Sequence, residues 1–394
     1  MPILLTYAFR PFFLFSCLYA CLAMIGWLAL IGLHAAGGQV LEMSISMPPY
    51  QWHAHEMLFG YTLAVITGFF LTAVPNWTDT RPVQGVALGA LVAAWIAGRL
   101  AIWFSAYLPA LLVAGLDLLL IPMLMALVVK ALMARWSKRN LIFLPILLSL
   151  FGGNLLAHLE QLGWTEDTMA LGHTLALNVI VVLIVIIGGR VVPAFTTNAL
   201  RKQGVENLPQ SRKPLELASI ISVVAIALGD LAGLDDQIRG GFAIFAAVAN
   251  TLRFAGWCGT KILSQPIVWI MHLGYTWLII GLTLKAIALF SPLLVEATAL
   301  HALTIGAVGS MTIGVMTRAS LGHTGRVIVA SPMMVLAYAM ISLAALTRVL
   351  GPMLVPEFYN EAMLAAGLLW IGAFVILSFI FWPILTKPRI NSTN

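Results

Sequence analysis

The stretch Trp52-His53-Ala54-His55-Glu56-Met57 opens a run that continues LFGYTLAVITGFFLTAVPN from Leu58 to Asn76. After Glu56 no charged residue appears before Asp79. A helix of about 20 apolar residues crosses the hydrocarbon of a bilayer, because each residue adds about 1.5 Å of rise. Runs of this kind recur along the whole 394-residue chain, which is 61% hydrophobic and 9% charged with a mean hydropathy of +0.99. An ordinary soluble domain carries roughly a quarter of its residues as charges. No soluble core absorbs so much apolar surface, so lipid is the solvent. The net charge of +6 then sets orientation in the membrane and does not mark a nucleic-acid surface.

Apolar windows read against turn and charge punctuation place spans near residues 12–34, 53–75, 85–106, 110–133, 141–161, 170–193, 215–234, 239–259, 266–289, 294–316, 328–350 and 359–385. The expectation is an all-α, polytopic membrane protein of about twelve transmembrane helices. The first run follows Arg10-Pro11 without a small-residue cleavage site and reads as a retained helix. With the N-terminus inside, 17 of the 21 basic residues fall on the inner side, and 11 of the 15 acidic ones fall on or near the outer side. A wrong helix count would scramble that alternation, so it supports the count and predicts both termini to be cytoplasmic.

The opening stretch also recurs. His55 precedes Thr72 by 17 residues, His173 precedes Arg190 by 17, and His301 precedes Arg318 by 17. These positions fall on the second, sixth and tenth helices, which predicts three four-helix repeats over 1–139, 140–262 and 263–394. Seventeen residues of helix cover about 25 Å, so each histidine belongs near the outer face and its partner near the inner one.

Eight histidines occur: His34, His53, His55, His158, His173, His272, His301 and His323. Ionisable groups in a bilayer are expensive and mark sites by default. His53, His55, His158, His173 and His301 are predicted in the outer third of the membrane, His272 close to the inner end of the ninth helix, and His323 in an inner loop with Arg318 and Arg326. His53 and His55 differ by about 200° around a helix and suit different centres. Glu56 shares a face with His53 and is placed to orient it or to carry protons. Asn154 and His158 likewise share a face. Arg99 and Asp117 lie at matching depths of a hairpin and read as a pair, with the alternative that Arg99 holds a haem propionate. Candidate metal ligands are His53, His55, His173, His301, His158 and His323. No four-ligand zinc spacing and no covalent haem motif occur, so imidazoles from separate helices suit non-covalent haem iron or copper. Cys17 and Cys21, one turn apart, read as packing residues, and Cys258 adds no CxxC pair.

These residues resemble the NnrS family over nearly the whole chain. The resemblance rests on Phe9-Arg10-Pro11-Phe12-Phe13, the Trp52–Met57 motif with Gly60, Thr72 to Trp77, Gly172-His173-Thr174 with Asn178, and Gly189 to Thr196. It continues through His272-Leu273-Gly274-Tyr275, His301 to Gly306, Met316 to Ala319 and Gly322 to Arg326. It implies a bacterial inner-membrane protein of the nitric oxide response that binds haem and copper. The twelve-helix arrangement also resembles the catalytic subunit of haem-copper oxidases, although the seventh helix here carries no histidine.

The resulting expectation is a b-type haem protein, with copper as a second metal, that binds and reduces nitric oxide or a similar diatomic ligand. Its haem ligands would be drawn from His53, His55, His173, His301 and His272, with Glu56 as proton carrier and an electron donor as partner. Whether it turns over is left open by the residues. A secondary transporter, or a nitric oxide sensor without catalysis, are the alternatives.

Overall fold

A computed structural model of the chain describes residues 1–35, 44–135 and 140–390. Glu42, Lys138 and Arg139, counted in the charge alternation, lie outside these residues, as does the side chain of His34. Among the described residues the structure is helical with no strand. Lipid offers no hydrogen-bond partners, so each spanning segment satisfies its own backbone as a helix.

The long helices are α1 (Phe9–Ala35), α2 (Pro49–Thr78), α3 (Val86–Trp103), α4 (Ala110–Ala134), α5 (Phe143–Gln161) and α6 (Thr168–Lys202). They continue as α7 (Lys213–Leu231), α8 (Asp236–Ala255), α9 (Pro266–Phe290), α10 (Glu296–His323), α11 (Pro332–Leu354) and α12 (Tyr359–Thr386). Eleven of these segments are long and apolar enough to cross a membrane. The twelfth helix is α8, which has 20 residues but carries Asp236, Arg239, Asn250 and Arg253.

Helix ends differ from expectation where proline was read as punctuation. Helix α2 continues past Pro75 to Thr78, where Asp79 turns left-handed at φ 55°, and α6 continues past Pro193 to Lys202. Spanning helices tolerate proline when neighbours serve the freed backbone groups. His323, expected in a loop, is the last residue of α10, because the chain stays helical through Arg318 and turns only at Thr324 and Gly325. Its ring lies 5.4 Å from that of Phe9.

The chain divides into two compact units. The first comprises Met1–Ala176, His323–Arg326 and Leu377–Asn394; the second comprises Leu177–Gly322 and Val327–Ile376. In the first, Arg10 closes the end of α12 by donating to the carbonyls of Leu385 (2.7 Å) and Lys387 (2.8 Å). In the second, α9 and α10 approach through glycines: a Cβ on Gly274 would stand 2.7 Å from Met311, and one on Gly306 would stand 2.6 Å from Trp277. Small residues let helix backbones come together where no hydrophobic force separates lipid from protein.

Candidate metal centre

The site is built in the first unit. Pro49 starts α2 with a fixed φ and no donor to lose. About two turns later the helix widens into a π-helical segment over Glu56–Thr62, in which Thr62 Oγ1 donates back to the carbonyl of Met57 at 2.8 Å. Such widened turns concentrate at functional sites. The two residues at the junction, His55 and Glu56, are both fully buried.

Two close helix approaches bring partners to them. At Gly98 a Cβ would stand 3.0 Å from the Cα of Asp117, so α3 and α4 touch there and set Arg99 beside Asp117. At Gly153 a Cβ would stand 2.7 Å from the carbonyl oxygen of Gly172, so α5 and α6 touch and bring Asn154, His158 and His173 to one level. Arg99, Asn154 and His173 each directly follow one of these glycines.

Arg99 lies between the two acids and donates to both Glu56 and Asp117. Glu56 Oε1 also contacts His55 Nδ1 at 2.8 Å. On the other side of that ring, His55 Nε2 is 2.9 Å from Asn154 Oδ1 and 3.2 Å from Asp117 Oδ2. Asn154 Nδ2 donates to Asp117 Oδ2 at 2.8 Å, and His158 Nε2 contacts the same oxygen at 2.8 Å. Because the amide of Asn154 must turn its NH2 to the carboxylate, its oxygen faces His55, and Nε2 is the donor in that bond; a metal ion held by Nε2 would take the place of that proton. Two carboxylates, one guanidinium and the rings of His55 and His158 are enclosed together, so the charge of the acids is balanced within the cluster by Arg99 and by a proton on His55 or Glu56, and a metal cation can take the place of that proton. His55, Asp117 and His158 each offer a ligand atom, and these atoms lie within 4.8 Å of one another. Two imidazoles and a carboxylate form a donor set for a transition metal. This buried cluster can hold a metal ion.

His173 stands next to it, with its ring 5.9 Å from that of His55. Its Nδ1 is 2.8 Å from Gln51 Oε1, which can only accept, so the ring proton is on Nδ1 and Nε2 presents a bare lone pair. That Nε2 is buried without a partner, as are Glu56 Oε2 and His158 Nδ1. An imidazole fixed through one nitrogen with the other open is the arrangement of a metal ligand.

A model of the NnrS protein family matches residues 3–389. The chain belongs to the NnrS family. No curated protein matches it.

In this NnrS chain the structure gathers His55, Glu56, Arg99, His158 and His173 of the expected site residues into one cluster. The others lie elsewhere. His53 stacks on Trp27, ring centroids 4.5 Å apart at 17°. His301, in the second unit, donates from Nδ1 to the carbonyl of Ala297 at 2.6 Å. His272, also in the second unit, pairs with Thr196, and His323 packs on Phe9. Glu56 is held by His55 and Arg99, not by His53 as the i, i+3 spacing suggested, because a full guanidinium from α3 outcompetes a neutral ring on the same helix. The terminal nitrogens of Arg99 each spend one N–H on Glu56 and Asp117, and Nε is buried without a partner. Sequence reasoning missed three members. Asp117 appeared only as the partner of Arg99, Asn154 only as a neighbour of His158, and Gln51 not at all. The signal for Asp117 was present: Glu56, Arg99 and Asp117 are charges at one depth of a bilayer, and two acids with one base call for a further positive charge, a proton or a metal ion.

Proposed function

We propose that this multi-pass NnrS-family protein resides in a bacterial inner membrane with both termini cytoplasmic, binds haem and a second metal, copper, and binds and reduces nitric oxide. The observation that carries the reading is the buried, open Nε2 of His173, fixed by Gln51 beside the His55–Asp117–His158 cluster. On this reading His173 is the haem ligand, and His55, Asp117 and His158 hold the second metal. A haem held by His173 would supply the site at which nitric oxide binds. The role of the protein groups is positional and electrostatic. Gln51 holds the tautomer of His173, Arg99 keeps the acids from repelling each other, and Glu56, with Oε2 open, is the proton carrier. Reduction of nitric oxide to nitrous oxide and water consumes one proton for each electron, the electrons coming from a separate donor.

The test is an absorption spectrum and metal analysis of protein purified after expression with haem and copper supplied, before and after nitric oxide is added anaerobically. The expected result is a Soret band that shifts with nitric oxide and stoichiometric iron. A colourless preparation without iron or copper overturns the reading and favours transport. A spectrum that shifts while nitric oxide persists identifies a sensor.

A further inference from the structure

We propose that the first unit binds the phosphate of an anionic phospholipid headgroup at the end of the helix bundle where α1 begins and α10 and α12 finish. The site is built on His323-Thr324-Gly325-Arg326, which the metal centre leaves unused, and on the residues that follow α12.

The backbone brings these segments together. Gly325 turns left-handed at φ 73°, and a Cβ on it would collide with the carbonyl oxygen of Ile390 and stand 3.4 Å from Cγ of Arg389. Ile390 in turn donates its N–H to the carbonyl of Thr324 at 3.0 Å. The stretch after α12 therefore lies against the turn after α10, with Arg389 next to Gly325 and Arg326. Arg10 ties the start of α1 to the same place through its bonds to the carbonyls of Leu385 and Lys387, and the ring of His323 packs on Phe9. Arg10, Arg326, Lys387, Arg389 and His323 are thus collected at one end of the unit.

Their charge has no counterpart. Among the described residues none of the five makes an ion pair. Arg10 is 3% exposed; its Nη1 serves the two carbonyls, while Nε is buried without a partner. The edge of the guanidinium formed by Nε and Nη2 therefore carries no hydrogen bond. The charged group that acts most strongly on Arg10 is Arg326, a like charge, and Nη1 of Arg326 is also buried without a partner. Two guanidiniums held together away from water repel each other until an anion joins them. The free edge of an arginine offers two parallel N–H groups, which match two oxygens of a phosphate. Arg326 is half-buried and His323, Lys387 and Arg389 are exposed, so the cluster opens at the surface of the unit.

The lipid is the source of that phosphate. Phe379 and Trp382, in the last turns of α12, are exposed, and in a spanning helix exposed aromatic rings face lipid. A tryptophan near a helix end marks the level of the headgroups. Basic clusters beside the ends of spanning helices take anionic headgroups. A phosphodiester at the level of Trp382 reaches the arginines while its acyl chains stay in the bilayer.

The experiment is native mass spectrometry of the full-length chain released from detergent after titration with phosphatidylglycerol or phosphatidylcholine of the same acyl chains, with and without inorganic phosphate. Phosphatidylglycerol should be retained about tenfold more tightly than phosphatidylcholine. Arg326→Gln and Arg389→Gln should each weaken phosphatidylglycerol by about fivefold, the effect of one basic group near a membrane surface, and leave phosphatidylcholine unchanged. Both substitutions keep the Arg10 bonds to α12, so the variants retain the fold. Lys130→Gln, which removes an exposed charge from α4, should change neither lipid. Equal retention of the two lipids, unchanged affinity in the Arg326→Gln/Arg389→Gln double variant, or an equal loss in Lys130→Gln overturns the site. Displacement of phosphatidylglycerol by an equal concentration of inorganic phosphate identifies a free-anion site and overturns the lipid assignment. The readout needs neither haem nor copper, so its failure is distinct from failure of the metal reading.

Discussion

Gln51 accepts a hydrogen bond from His173 across 2.8 Å, joining the first turn of α2 to the second turn of α6. The bond decides which nitrogen of His173 is free. Gln51→Leu should lower metal or haem affinity by about 10- to 100-fold, the usual effect of removing the group that fixes a ligand imidazole. Titration of the stripped protein with the metal and with haem, each followed by absorption, checks it. Gln51→Glu should restore the orientation and, by drawing on the ring proton, lower the reduction potential of a bound haem. Unchanged affinity in the leucine variant would remove His173 from the ligand set.

Arg99 is the only base among Glu56, Asp117 and itself, and all three are buried. Arg99→Ala leaves two enclosed acids without their common counter-charge. Breaking a buried pair from one side costs about 3–5 kcal/mol, so the variant should melt earlier in detergent and express poorly. Arg99→Lys should recover only part of the loss, since an ammonium lacks the planar fork that reaches two carboxylates. Thermal unfolding of the three proteins, followed by circular dichroism, separates the outcomes.

Much of this was legible in the residues. The apolar runs placed the eleven helices that are long and apolar enough to cross a membrane, because in lipid a long apolar stretch has no other structure to adopt, and the matching depth of Arg99 and Asp117 predicted their contact. What was not legible depends on contacts between helices. Helical spacing within α2 paired Glu56 with His53, but the carboxylate follows a charge that comes from α3. The widened turn at Glu56–Thr62 has no marker in its sequence, EMLFGYT. The bridging by Asn154 depends on the approach of α5 and α6 at Gly153 and Gly172, and a glycine pair in two apolar runs does not say that the two meet.

That approach is itself testable. A Cβ on Gly153 would stand 2.7 Å from a backbone oxygen of α6, which cannot move aside as a side chain can. Gly153→Ala should push α5 from α6 and separate Asn154 and His158 from His173. The expected result is a folded protein of near-normal yield with metal affinity reduced by at least the ~10-fold of a disturbed ligand shell. Gly152→Ala, one residue away with open space before its Cβ, should leave affinity unchanged. Equal behaviour of the two variants would show that the approach does not position the site.

Arg10 donates to two carbonyls at the end of α12, where unsatisfied backbone oxygens concentrate. Arg10→Met keeps the apolar stem and removes both bonds. Hydrogen bonds from a charged donor contribute about 1.5–3 kcal/mol, so the last turn of α12 should fray. Limited proteolysis should then cut near Lys387 in the variant at protease levels that spare the wild type.

The sharpest test sets the cluster against the repeat. His55, His173 and His301 share one internal spacing, and a site built on repeat equivalence would need all three. The geometry instead groups His55 with Asp117 and His158, while His301 bonds to a carbonyl one turn back on its own helix. Asp117→Asn keeps the size and the hydrogen-bonding reach of the side chain but removes the charge that attracts a cation. It should lose the second metal, as should His55→Ala and His158→Ala, with iron and copper quantified per chain. His301→Ala and His53→Ala should retain it. Loss of metal in His301→Ala with retention in Asp117→Asn would move the centre away from the α2–α5 cluster and return it to the repeat.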